Sequence, residues 1–150
     1  MKYIYILLLS VIIPFASFSQ LEVGAGWSSV AASDGVNAVS SGGIQMNLDY
    51  NVTSDSKLRV APGLNTVMLF STDDWGDPLL IFDVMPGVQV GLEYVNLKVN
   101  YSLFDNLLWY GLGSRIPIGD SHGISISLQA SAVGGIGLGW GSVGYSYKFN

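Results

Sequence analysis

Apolar and polar residues alternate with period two along most of the chain. Ile44, Met46, Leu48, Tyr50 and Val52 share one parity, and Gln45, Asn47, Asp49 and Asn51 share the other. Leu80, Phe82, Val84, Pro86, Val88, Val90, Leu92 and Tyr94 keep a single parity opposite Asp83, Gln89, Gly91 and Glu93. Leu97, Val99, Tyr101 and Leu103 alternate with Lys98, Asn100 and Ser102. Ile124, Ile126, Leu128 and Ala130 alternate with Ser125, Ser127, Gln129 and Ser131, and Val143, Tyr145, Tyr147 and Phe149 with Gly144, Ser146 and Lys148. Successive side chains of a strand point to opposite faces, so each run predicts a strand with one oily face and one polar face. Beyond residue 20 no apolar spacing of i, i+3, i+4 appears, and nineteen glycines are scattered where they would break a helix.

Turn signals divide this pattern into eight strands, at about 21–30, 43–52, 57–70, 78–94, 97–104, 107–116, 123–133 and 139–149. Between them lie a Ser/Gly/Asn-rich segment (31–42), Ser54-Asp55-Ser56, an acidic segment (71–77), Val95-Asn96, Asp105-Asn106, the stretch 117–122 and a glycine-rich stretch near Gly134-Gly135. Proline cannot donate to a ladder, so a bulge or a turn at Pro86-Gly87 is the alternative to a continuous fourth strand. The expected fold class is all-β, an eight-stranded antiparallel up-and-down barrel.

The amino terminus breaks the pattern. Lys2 precedes an apolar run from Tyr3 to Phe15, and Ser17-Phe18-Ser19 supplies small residues before Gln20. That order predicts a cleavable secretory signal over 1–19, because the run falls short of the ~20 residues of a spanning helix. The barrel domain is then 20–150. Losing Lys2 makes the net charge one unit more negative than −5.

Alternation does not say which face is inside. Composition does: 49% of residues are hydrophobic and only 11% charged, against about 25% charged in ordinary soluble domains, and the mean hydropathy is +0.43. The polar parity holds mostly Ser, Gly, Asn and Gln, which are sized for a narrow lumen rather than a water-facing sheet. This favours a transmembrane barrel with its apolar face toward lipid, and the alternative is a soluble secreted ligand-binding barrel with that face inward. The aromatics Trp27, Tyr50, Tyr94, Tyr101, Tyr110, Tyr145, Tyr147 and Phe149 fall on the apolar parity, several near strand ends where headgroup girdles form. Zero cysteines exclude disulfides, thiolate metal sites and thiol catalysis. Six Lys+Arg against eleven Asp+Glu leave no basic footprint for nucleic acid.

These strands resemble the small eight-stranded outer-membrane barrels of the OmpA/OmpX type. The final strand, GYSYKFN, looks like the carboxy-terminal signal by which the outer-membrane assembly machinery recognises its clients. The resemblance implies residence in the outer membrane of a Gram-negative bacterium, contact with outer-membrane lipid and lipopolysaccharide, and a structural or adhesive role with an extracellular ligand yet to be named.

Hairpin register predicts charges paired inside the lumen. Matching apolar parities allows Asp49 opposite Arg59, and a two-residue turn at Val95-Asn96 places Glu93 opposite Lys98. Closing the first strand on the last brings Glu22 near Lys148, with Arg115 close by. Charges removed from water need partners, so a ring of opposite charges near the terminal end is expected. With Gln, Asn and Trp109 it would fill the narrow interior. A small channel is the alternative.

Little catalytic chemistry is visible, and no enzyme or cofactor is expected. Outer-membrane lipid hydrolases and acyltransferases use Ser and His on barrels of this size, so a lipid-modifying enzyme dependent on His122, in GDSHGIS, is the leading enzymatic alternative. The sequence lacks a His two residues before a Ser on one strand face at that point. Asp73, Asp74, Trp75 and Asp77 form an acidic turn that reads as solvated, without the spacing of a calcium loop. Together with 31–42 it is the expected extracellular interaction surface. The stretch GGIGLGWG opens no helix, so its glycines read as strand packing and tight turns.

Overall fold

The computed structural model describes residues 21–33, 35, 38–53, 58–72, 77–92 and 94–149. They form eight strands: β1 (Leu21–Ser33), β2 (Ala38–Tyr50), β3 (Leu58–Thr72), β4 (Pro78–Leu92), β5 (Val95–Tyr101), β6 (Leu108–Pro117), β7 (His122–Val133) and β8 (Ile136–Lys148). Each pairs antiparallel with its chain neighbour, and β1 pairs with β8 to close the barrel. The expected signal segment, 1–19, lies outside the described residues.

Three boundaries differ from the expectation. β1 and β2 continue pairing up to Ser33 opposite Ala38, so most of 31–42 is strand and the connection shrinks to 34–37. β8 starts at Ile136, directly opposite Val133. Gly134 and Gly135 have φ of 57° and 85°, and two central residues at positive φ match the right-handed twist of the flanking strands, which makes this a tight two-residue hairpin. Val95 and Asn96 belong to β5 and are not the turn, which lies before Val95. Pro86 makes neither a bulge nor a turn: it continues β4 opposite Leu64, and the ladder to β5 begins at Gly87, the next residue.

The apolar parity faces outward on every strand. Met46, Leu64, Phe82, Leu97, Leu112, Leu128 and Val143 are exposed, Leu128 at 69%, while Glu22, Asp49, Gln89, Lys98, Arg115 and Gln129 are buried. A soluble barrel requires the reverse, because exposing so much hydrocarbon to water opposes folding at about 25 cal/mol per Å². Tyr145, Tyr147 and Phe149 stand on the outer face toward the end that holds both chain termini, with Tyr147 and Phe149 edge to face at 5.1 Å. At the opposite, far end Phe82 meets Phe104 at 6.3 Å.

The wall is uneven in height. β3 and β4 each run 15 residues, whereas β5 has 7 and β6 has 10. Along 78–86, β4 therefore keeps β3 on one side and has no ladder to β5 on the other.

Candidate functional site

The inward side chains sort into three tiers. The lowest, near the chain termini, is ionic. Glu22 accepts from Arg59 Nη2 at 2.8 Å through one carboxylate oxygen and faces Arg115 Nε at 3.0 Å through the other. Arg115 also donates to Ser146 Oγ and to the Ser121 carbonyl, each at 3.2 Å. Its planar fork thus ties β6 to β8 and to the turn before β7. Asp49 accepts from Asn47 Nδ2 at 2.9 Å, and Lys98 and Arg59 are the cations near it.

The partners differ from those the sequence suggested. Asp49 is opposite Gly63, not Arg59, because the β2–β3 connection is longer than expected and the Thr53 hydroxyl bridges it, donating to the Leu58 carbonyl and accepting from the Val60 amide. Lys98 is opposite Gln89, since Val95 and Asn96 belong to β5 rather than to the turn, and Glu93 itself lies outside the described residues. Glu22 is opposite Lys148 in the closing ladder, yet its carboxylate is engaged by the two arginines and Lys148 is half-buried.

Two glycines make room for this layer and the next. A Cβ on Gly63 would stand 2.1 Å from Asp49 Oδ1, and one on Gly87 would stand 2.0 Å from Asn100 Oδ1 and 2.5 Å from the Val99 carbonyl. Each bare backbone lets a polar side chain of the neighbouring strand lie flat across it.

The middle tier is a chain of amides. Asn65 Nδ2 donates to Asn100 Oδ1 at 2.9 Å, and Asn100 Nδ2 donates to Gln129 Oε1 at 2.6 Å. These three side chains span the lumen from β3 through β5 to β7, and all are buried.

The upper tier is apolar, which the sequence reading missed apart from Trp109. Val67, Leu69, Met85, Trp109 and Trp140 form a buried cluster, with Val30, Leu107 and Leu138 packed against it. Trp109 and Trp140 meet edge to face at 5.7 Å. They line a cavity of about 200 Å³ at the far end, bordered also by Asp83 and Asp105. The available signal was the loss of alternation in Val67-Met68-Leu69-Phe70 and Leu79-Leu80-Ile81-Phe82, where both parities are apolar.

Of the expected outer acidic turn, Asp73, Asp74 and Trp75 lie outside the described residues, and Asp77 is exposed just before β4. His122 opens β7 on the outer face, hydrogen-bonded through Nδ1 to the Tyr145 hydroxyl and 5.2 Å from the Tyr147 ring. Ser125 falls on the inward parity of the same strand, so the two residues do not form a nucleophile and base pair. Among the described residues no group of three metal-ligating side chains occurs.

No protein-family model matches the sequence, and no curated protein does. Solved structures match the fold. Ail, the attachment invasion locus protein of Yersinia pestis, in complex with the heparin analogue sucrose octasulfate, gives a TM-score of 0.61 at 14% identity over 86% of this chain and 97% of that one. Another structure of Ail gives 0.60 at 16% identity with the same coverage. Neisserial surface protein A gives 0.55 at 10% identity over 87% of this chain and 97% of that one. The closed ladder, the outward apolar face and these superpositions together give the chain the fold of the small eight-stranded outer-membrane β-barrels.

Proposed function

We propose that the protein is an integral outer-membrane barrel that catalyses no reaction, is closed to ions by its own side chains, and works through the surface at its far end. The observation that carries this reading is the inverted polarity of the strands: hydrocarbon outside, ions and amides inside. Residues 1–19 act as the export signal and GYSYKFN as the segment read by the assembly machinery. The terminal end is then periplasmic and the far end extracellular.

The interaction surface differs in charge from one built for polyanions. The structure of Ail holds a heparin analogue. Here 34–37, 73–77, 102–107 and 134–135 contain no Lys or Arg, whereas Asp34, Asp73, Asp74, Asp77 and Asp105 fall within them. Such a surface favours cationic partners, or lipopolysaccharide bridged by divalent ions. Glu22, Asp49, Arg59, Lys98 and Arg115 act as the inner seal, with Lys148 across the closing ladder from Glu22 and Glu93 shortly before Lys98 in the chain, and the Asn65-Asn100-Gln129 chain closes the middle.

Membrane fractionation, gel migration with and without boiling, and planar-bilayer recording test this together. Expected are outer-membrane recovery, a heat-dependent mobility shift and no steady current. Steady ohmic current from the wild-type protein overturns the closed lumen. Recovery in the aqueous phase without detergent overturns the membrane assignment.

A further inference from the structure

The closed lower and middle tiers leave the upper cavity unexplained. Sealing the lumen does not need it, since the ions and amides already fill the interior below. We propose that this cavity binds a small cationic amphiphile: one aromatic ring or short alkyl body, a neighbouring oxygen that accepts a hydrogen bond, and an ammonium head.

Three features specify these parts. The walls are Val67, Leu69, Met85, Trp109 and Trp140, which favour an apolar body. Apolar cavities of about 150 Å³ hold benzene, so about 200 Å³ seats a ring with a short polar tail. Trp140 is only 2% exposed and its indole N–H has no hydrogen-bond partner among the described residues. Buried indole donors are normally satisfied, so this one calls for an acceptor brought by an occupant.

The third feature is charge. Asp83 and Asp105 both border the cavity. Asp83 is buried and accepts from the Val84 amide at Oδ1 at 2.7 Å, and among the described residues Oδ2 has no hydrogen-bond partner and is placed to serve a ligand. Asp105 stands exposed at the rim, on a turn fixed by its amide donating to Ser102 Oγ at 3.0 Å. The described basic residues, Arg59, Lys98, Arg115 and Lys148, all lie toward the chain termini and do not offset these carboxylates at the far end. An ammonium near the Asp83 carboxylate also approaches the two indoles, whose faces attract cations.

Three ligands of one shape separate the contributions: 2-amino-1-phenylethanol (cation), 1-phenylethanol (neutral) and mandelate (anion). Each carries a phenyl ring and a hydroxyl. The protein, labelled with ¹⁵N at the indoles and folded in phosphatidylcholine nanodiscs, is titrated with each while the Trp Nε1–H resonances are followed. The cation should shift Trp140 and Trp109 saturably, leave the outward Trp27 unmoved, and bind about tenfold tighter than the neutral ligand. Mandelate should produce no shift.

Asp83→Asn keeps the acceptor for the Val84 amide and should remove most of the cation's advantage without changing binding of the neutral ligand. Asp105→Asn, on an exposed turn, should reduce the advantage in the same direction and serves if the first variant fails to fold. Met85→Phe fills the cavity and should abolish the responses to both the cation and the neutral ligand. The proposal is overturned if the cation moves Trp27 as much as Trp140, if the neutral ligand binds as tightly as the cation, or if mandelate binds best.

Discussion

Glu22 sits between two guanidinium groups in the lumen, and its removal is the most informative single change in the ionic tier. Glu22→Gln removes the carboxylate that both Arg59 and Arg115 contact, and breaking a buried pair costs about 3–5 kcal/mol. Urea unfolding of the barrel in lipid should show that loss. Lys148→Ala should change stability by less than about 0.5 kcal/mol, as half-buried residues without a special contact do. Equal losses from the two variants would favour the simple cross-strand pair that the sequence suggested. A second residue-scale prediction concerns Gly87→Ala, whose Cβ would meet both Asn100 and the Val99 carbonyl. Overpacking of that kind costs about 1–3 kcal/mol and should lower the temperature at which the folded gel band disappears. Which polar residues face inward was legible from parity alone. Which inward residue touches which was not, because side chains as long as Arg59 and Arg115 reach across the lumen and ignore the ladder.

At the scale of elements, eight strands were legible because period two and turn chemistry agree along the chain. Register was legible only in part. The two displaced pairings, Asp49 opposite Gly63 and Lys98 opposite Gln89, are both even slips. An even slip leaves every side chain on its proper face, so hydrophobic alternation cannot detect it, and the length of the turn must decide. The β7–β8 hairpin shows the opposite case, where the turn residues fix register outright. Gly135 at φ 85° should not accept a branched side chain. Gly135→Val is expected to cost about 1–2 kcal/mol by denaturant titration, with Gly135→Asn costing clearly less. The upper halves of β3 and β4 carry apolar residues on both faces, and this double-sided run is the sequence trace of the cavity. A reading that expects alternation to define one oily face passes over it.

At the scale of the whole molecule, charge is divided between the ends. The described cations, Arg59, Lys98, Arg115 and Lys148, all belong to the terminal half of the strands, and the only charged residues in 34–37, 73–77, 102–107 and 134–135 are aspartates. The folded protein should therefore pass through immobilised heparin without retention even at low ionic strength, where electrostatic attraction is strongest. Asp73→Lys, Asp74→Lys and Asp77→Lys introduced together should produce salt-sensitive retention. Retention of the unaltered protein would contradict the charge division. What the proposed surface would recognise was not legible, because loops leave no periodic pattern in the sequence.

The unequal staves also give a nominally round molecule a front and a back. Beyond Val84, whose carbonyl accepts from the Leu103 amide at 3.1 Å, β4 runs on to Pro78 for roughly 20 Å along the strand, at about 3.3 Å per residue. On that flank the rim drops to Leu103 and Phe104, both exposed. The low sector over β5 and β6, rather than the barrel axis, therefore sets the direction from which the far-end mouth is reached most directly.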